Sequence, residues 1–210
     1  VPDEEILAAF LSATFPQRLR EDLIAYLQVV NEPIAIRSSS LLEDAHYQPF
    51  AGIYSTYMIP PVADITQRLE LLMNAIKAVY ASVFYQDSKA YMAATRNVID
   101  QEKMAVLLQE VVGSAYDGRY YPHISGVGRS LNYYPIGDEA PEDGIVNLAL
   151  GLGKYIVDGG LSLRVCPAYP NKVLQTSEVD IALRETQTRF YALDTTTCPT
   201  NFQVDDGFNL

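Results

Sequence analysis

The sequence predicts an α+β fold in which a mixed or antiparallel sheet is backed by helices. Three observations predict it. Glycine is absent before Gly52, and eleven of the twelve glycines fall from Gly113 onward, so the organisation changes along the chain. The segment Asp64 to about Phe84 carries one continuous apolar stripe at helical spacing. From residue 102 the pattern shortens into apolar runs punctuated by Gly, Pro, Asp and Asn, the grammar of strands and turns.

Taken in order, residues 3–13 and 17–30 have helical spacing, with Leu19, Leu23 and Leu27 recurring at every fourth position. Pro16 opens the second of these, since proline is tolerated in a first turn. Pro33 to Ile36 reads as a short buried strand that runs into Arg37, Ser38, Ser39 and Ser40. In the long helix Ile65, Leu69, Leu72, Ile76, Val79 and Val83 alternate in steps of four and three. Asp64 with Gln67 resembles a capping box that satisfies the first free amides. At 1.5 Å per residue this helix spans roughly 30 Å, enough to back a sheet. Its Tyr80 and Phe84 read as core.

Met104 to Leu108 is an unbroken apolar run and predicts a strand buried on both faces. Asp117-Gly118 is a turn signal, and Tyr120 to Tyr134 reads as a strand or hairpin interrupted by Gly126 and Gly128. Pro135 to Gly144 is a loop, and Ile145 to Leu150 is another buried strand running into Gly151-Leu152-Gly153. Residues 170–210 are weakly patterned, and no internal repeat is visible.

Composition excludes several functions. The 210 residues are 49% hydrophobic and 20% charged, ordinary for a soluble globular protein with a sizeable core. A formal charge of −11, with no run of Lys and Arg, argues against nucleic acid as a partner. No stretch is long and apolar enough to cross a membrane. Val1 in place of an initial Met predicts a processed chain or a fragment. Cys166 and Cys198 stand 32 positions apart, which fits neither a zinc site nor a redox motif, and predicts reduced thiols in a cytoplasmic protein. His46 and His123 are too few for a metal cluster.

Three segments carry candidate chemistry. The first is Ile36-Arg37-Ser38-Ser39-Ser40, followed by Glu43-Asp44, Phe50-Ala51-Gly52 and Thr56. A strand that delivers a guanidinium and three hydroxyls to one loop makes a compact anion site, because the planar fork matches phosphate oxygens. The same residues also fit a serine-rich turn with Arg37 in a surface ion pair. The second is the strand ending in Gln109-Glu110-Val111-Val112, whose backbone groups fit an adenine edge, or which is plain core. The third is Leu150-Gly151-Leu152-Gly153-Lys154, which lacks the spacing of a phosphate loop. Asp180, Glu185, Gln187 and Arg189 invite reading as a metal group, but scattered polar residues of this kind are a common false match.

The order of these pieces resembles the phosphoenolpyruvate synthase and pyruvate phosphate dikinase family. Arg37 to Ser39, Glu43-Asp44, Phe50 to Gly52, Thr56, Gln109 to Val112, Ser125 to Val127 and Gly151 to Gly153 appear in family order, over roughly residues 30 to 165. The resemblance implies that the whole chain, 1–210, is part of an ATP-grasp-like nucleotide-binding domain. In that family ATP is held between two lobes, with phosphates facing the Arg and adenine against the Gln-x-x-Val strand. By matching position, Arg37, Gly52 and Thr56 are expected to contact phosphates or ribose, and Glu110, Val111 and Val112 the adenine. Departures are Val111 for the family's usual Met, Lys154 for its Glu, and Arg129-Ser130-Leu131 where a Phe-Thr pair follows the hairpin.

The resemblance further implies ATP or AMP as ligand, with magnesium in the full-length enzyme. It implies a missing lobe with the family's lysine, a phosphohistidine domain and a pyruvate-binding domain. The expected activity passes phosphate from ATP to a histidine elsewhere and then to pyruvate, and the isolated chain is expected to be inactive. Two alternatives stay open: a dikinase with a glucan or antibiotic acceptor, and a non-catalytic nucleotide-binding or scaffold module.

Overall fold

The computed structural model describes residues 1–40, 43, 52–94 and 102–210. Asp44, His46, Phe50 and Ala51 of the expected motifs lie outside the described residues. The chain forms two compact units, one of Val1–Val112 with Asp194–Leu210, the other of Gly113–Leu193.

The first unit is built around a three-stranded antiparallel sheet. Helices α1 (Asp3–Ser12) and α2 (Gln17–Val29) precede strands β1 (Ile34–Ser40) and β2 (Tyr57–Ile59). Helices α3 (Ile65–Ser82) and α4 (Gln86–Ala94) follow, and β3 (Met104–Glu110) completes the sheet in the order β2-β1-β3. The register sets Ile34 against Ile59 and Glu110, and Ile36 against Tyr57 and Leu108. Alternation then puts Ile34, Ile36, Tyr57 and Ile59 on one face, where all four are fully buried with Leu69, Leu72, Ala75 and Val79 of α3. Asp64 starts α3 as expected, its carboxylate accepting from the Thr66 and Gln67 amides at 2.7 and 3.2 Å.

Helix α3 is buried over a wider arc than its stripe foretold. It contacts α1 and α2 as well as all three strands, so Arg68, Leu71, Ala78 and Ser82 are buried too. Other expectations are corrected outward. Leu19 is exposed, leaving Leu23 and Leu27 to carry the buried side of α2. Tyr80 and Phe84 are each 39% exposed, with Phe84 resting on Phe10 at 5.6 Å between ring centroids. Strand β3 is not buried on both faces: it is an edge strand, and Ala105, Leu107 and Gln109 of one face are exposed. An apolar run alone cannot report which face lacks a covering layer.

The tail of the first unit straps β2. The Tyr57 hydroxyl donates to the Gln203 carbonyl at 2.8 Å, and the Asn209 side-chain amide donates to the Met58 carbonyl at 2.7 Å. Phe202 and Phe208 close over the Tyr57 ring.

The second unit holds two small sheets. A hairpin of β4 (Ser114–Tyr116) and β5 (Arg119–Tyr121) turns at Asp117-Gly118, both at positive φ, as the Asp-Gly signal predicts. The other sheet runs β6 (Ser125–Arg129), β7 (Ile145–Ala149), β8 (Leu163–Val165), all antiparallel. Short helices α5 (Lys154–Val157) and α6 (Val179–Glu185) and strand β9 (Leu193–Asp194) complete the elements, β9 standing next to β5.

The loop after β6 is braced by a polar cluster. Arg164 donates to both Glu139 carboxylate oxygens, to Asn132 Oδ1 and to the Tyr134 carbonyl. Glu139 also accepts from the Asn132 side chain and the Ile136 amide. The Arg164 guanidinium holds the Glu139 carboxyl down at about 2. The fold is therefore α+β with antiparallel sheets. Among the described residues no helix is long and apolar enough to cross a membrane.

Candidate functional site

The sheet face turned away from α3 holds the candidate site of the first unit. Arg37 pairs in register with Leu107, and Gln109 pairs with Ala35, so Gln109 is Arg37's diagonal neighbour on that face. The Arg37 Nη1 donates to Gln109 Oε1 at 3.2 Å, and both side chains are exposed. Arg37 thus stands exposed on β1 with one hydrogen bond to a described residue, and its planar fork is the geometry that matches phosphate oxygens. The surface ion pair admitted by the sequence is a neutral hydrogen bond instead.

The three serines do not act as one anion loop, because β1 continues through Ser40 and alternation splits them. Ser39 shares the face of Arg37. The Ser38 hydroxyl donates to Glu43 at 2.8 Å, and Ser40 is buried with its amide on the same carboxylate at 2.9 Å. The Glu43 amide returns a bond to the Ser40 hydroxyl. Glu43 therefore anchors the end of β1.

Thr56 lies one residue beyond the last β1–β2 pair, Ile36 with Tyr57, which brings it level with Arg37. Its backbone amide is taken by the Asp206 carboxylate at 2.6 Å, leaving the hydroxyl as the group available to a ligand. Gly52 precedes it by four residues in an exposed turn at φ 78°, a conformation that favours glycine.

At the end of β3 the three expected residues differ in what they offer. The Val111 amide donates to the Pro33 carbonyl at 2.8 Å. Because Ile34 stands opposite Glu110, that bond marks the pair as one that exchanges no bonds between its own residues. The Glu110 N–H and C=O therefore point to the outer edge of β3, which ends at that residue. The Glu110 side chain falls on the helix side, in the register of Ile34. Its charge raises the Tyr26 phenol, behind the larger effect of burial, and helps keep the proton on Arg68, which burial works to lower. Val112 is 83% exposed.

In the second unit the remaining motifs meet each other. The Ser125 hydroxyl of the hairpin donates to the Gly151 carbonyl at 2.6 Å. Gly151 has φ 87°, and a Cβ there would lie 2.6 Å from the Tyr191 carbonyl oxygen. Gln187 bonds the Leu150 backbone with both ends of its amide, at 2.8 and 2.9 Å, so it serves as a peptide clamp. Lys154 pairs with Asp158 one turn on. His123 bonds the Tyr116 hydroxyl at 2.7 Å. Cys166 and Cys198 are both free. No group of three or more His, Cys, Asp or Glu stands together as a metal site among the described residues.

Sequence reasoning named Gln109 only as the head of the adenine strand, and left out Asp206 and Arg68. Period-two alternation puts Gln109 on the face of Leu107 and so signals its place beside Arg37. Asp206 reaches Thr56 across 150 positions and no local pattern announces it.

In the first unit an exposed guanidinium on a strand, a threonine level with it and an outward-facing strand edge lie on one sheet. The chain belongs to the family of the pyruvate phosphate dikinase AMP/ATP-binding domain, whose model matches residues 2–206. It is 28% identical over 162 residues to "Uncharacterized phosphotransferase YvkC" of Bacillus subtilis (strain 168), covering 76% of this chain and 17% of that protein. It is 29% identical over 164 residues to "Phosphoenolpyruvate synthase" of Aeropyrum pernix, covering 74% of this chain and 18% of that protein. The chain thus spans less than a fifth of the length of these relatives.

Proposed function

We propose that residues 1–210 are one part of the ATP-binding domain of a dikinase-like phosphotransferase. In the full-length protein, phosphate from ATP passes to a histidine on another domain and then to pyruvate. The observation that carries this reading is Arg37, held on β1 with an open donor fork beside Thr56 and Gln109. Arg37, Gly52 and the Thr56 hydroxyl take the phosphates or ribose. The outward backbone of Glu110 and Val112 takes the adenine edge, with Val111 pinned behind it. Magnesium enters with the triphosphate, since this ion is commonly held by one or two carboxylates and substrate phosphates. A cytoplasmic location, with both cysteines free, belongs to the same reading.

The test uses labelled ATP. Full-length protein incubated with ATP and magnesium should release AMP and one inorganic phosphate and acquire acid-labile, base-stable phosphate on histidine, which pyruvate should discharge. The 210-residue chain alone should release no AMP or ADP above a heat-killed control. Label that pyruvate leaves in place would reassign the acceptor. Absence of ATP binding by the full-length protein would leave only a scaffold role.

A further inference from the structure

Arg68 is a guanidinium placed almost out of water, 5% exposed, on a helix the candidate site never touches directly. Burying a charge is costly unless its donors are met. Two donors are met by one short segment: Nη1 by the Val30 carbonyl and Nη2 by the Glu32 carbonyl, both at 2.7 Å. Nε finds no acceptor among the described residues. Arg68 therefore ties α3 to the link between α2 and β1 rather than to either element. The next residue of that link is Pro33, which has no amide to donate, and its carbonyl receives the Val111 amide. A continuous chain of hydrogen bonds runs from α3 through Arg68, residues 30–33 and Val111 to the end of β3. The Glu110 side chain lies on the helix side as well, where its charge favours the protonated Arg68 against the larger effect of burial.

We propose that Arg68 is a positioning residue for the base-recognising edge of the nucleotide site, an inference that rests on the ATP-binding reading above. By fixing residues 30–33 it holds Val111 inward, and so keeps the Glu110 carbonyl and the Val112 amide facing out at a fixed spacing. An acceptor followed by a donor at that spacing matches the amino group and ring nitrogen of adenine. The same edge of guanine presents a carbonyl and a protonated ring nitrogen, which is the reverse order and leaves both protein groups unpaired. Arg68 thus bears on which base is chosen, not on how tightly phosphate is held.

The experiment is titration calorimetry of ATP, GTP and inorganic tripolyphosphate on the full-length protein and on Arg68→Lys and Arg68→Gln, each checked for fold by circular dichroism. The wild type should prefer ATP. In the folded variants that preference should fall about tenfold, the equivalent of one misplaced hydrogen bond, with tripolyphosphate affinity unchanged. Unchanged preference, or equal weakening of all three ligands, overturns the proposal in favour of a purely structural Arg68. A wild type that binds ATP and GTP equally removes the base-edge reading itself, before any variant is compared. Should neither variant fold, hydrogen exchange on the wild type decides. A Val111 amide as protected as that of Leu107 supports the tether, and one that exchanges freely overturns it.

Discussion

Replacing Arg37 by alanine removes the cation from the open sheet face while disturbing little else. Its one described bond is a 3.2 Å contact to the exposed, uncharged Gln109, so neither deletion nor the lone glutamine leaves a buried orphan. Fold stability should therefore move by no more than about 0.5 kcal/mol, the usual range for surface changes. Nucleotide affinity should move far more. A charge-assisted contact to phosphate is worth roughly 1.5–3 kcal/mol, and solvent at this exposed site favours the lower end. The expected loss is then about tenfold, rising toward a hundredfold if phosphate displaces the surrounding water. Arg37→Lys should recover only part, because an ammonium cannot reproduce the planar fork. Titration calorimetry of ATP against the three full-length proteins, at fixed magnesium and salt, measures all of this. Equal affinities would refute the reasoning and leave Arg37 as an ordinary surface partner of Gln109.

The brace in the second unit gives a pH prediction. Arg164 holds Glu139 at about 2 against an ordinary 4.5, so across that window the native state binds fewer protons than the unfolded chain. Its contribution to stability is full above about pH 4.5 and is lost as pH falls toward 2. Urea midpoints measured from pH 6 down to 2 should fall in this window, and Glu139→Gln should flatten that limb. A midpoint curve unchanged by Glu139→Gln would rule the brace out. Gly151→Ala should destabilise by on the order of 1–3 kcal/mol, because a Cβ meets the Tyr191 carbonyl in a left-handed conformation. At about 2–4 °C per kcal/mol for a chain of this size the melting temperature should drop by several degrees. No drop in a thermal scan would mean that the Gly151 turn is looser than described.

Much of the fold was legible where periodicity and capping agree. The Asp64 cap, the α3 stripe and the Asp117-Gly118 turn are local signals, and the structure carries each out. The family order of Arg37, Gln109 to Val112, Ser125 to Val127 and Gly151 to Gly153 was legible too, because it is carried by short segments in chain order. What failed depended on neighbours distant in sequence. The apolar run at Met104 gave no sign that β3 lies at an edge. The run of serines after Arg37 looked like a loop because hydroxyls favour turns, yet pairing with β3 extends the strand to Ser40 and turns alternate hydroxyls away. Nothing local in the sequence marks Arg68, and only its burial against the link between α2 and β1 gives its donors the Val30 and Glu32 carbonyls.

The strap over β2 has a consequence for the order of events during synthesis. Tyr57, Met58 and Thr56 are closed by Gln203, Asn209 and Asp206, partners separated from them by about 150 positions that include the whole second unit. A ribosome adding roughly 5–20 residues per second needs about 7–30 seconds to pass through those intervening residues. Once β3 has been made the first sheet has all three strands, but it still lacks the rings of Phe202 and Phe208 that cover Tyr57. The later unit is thus free to form before the earlier one is sealed, and residues made after it are the ones that close the first sheet.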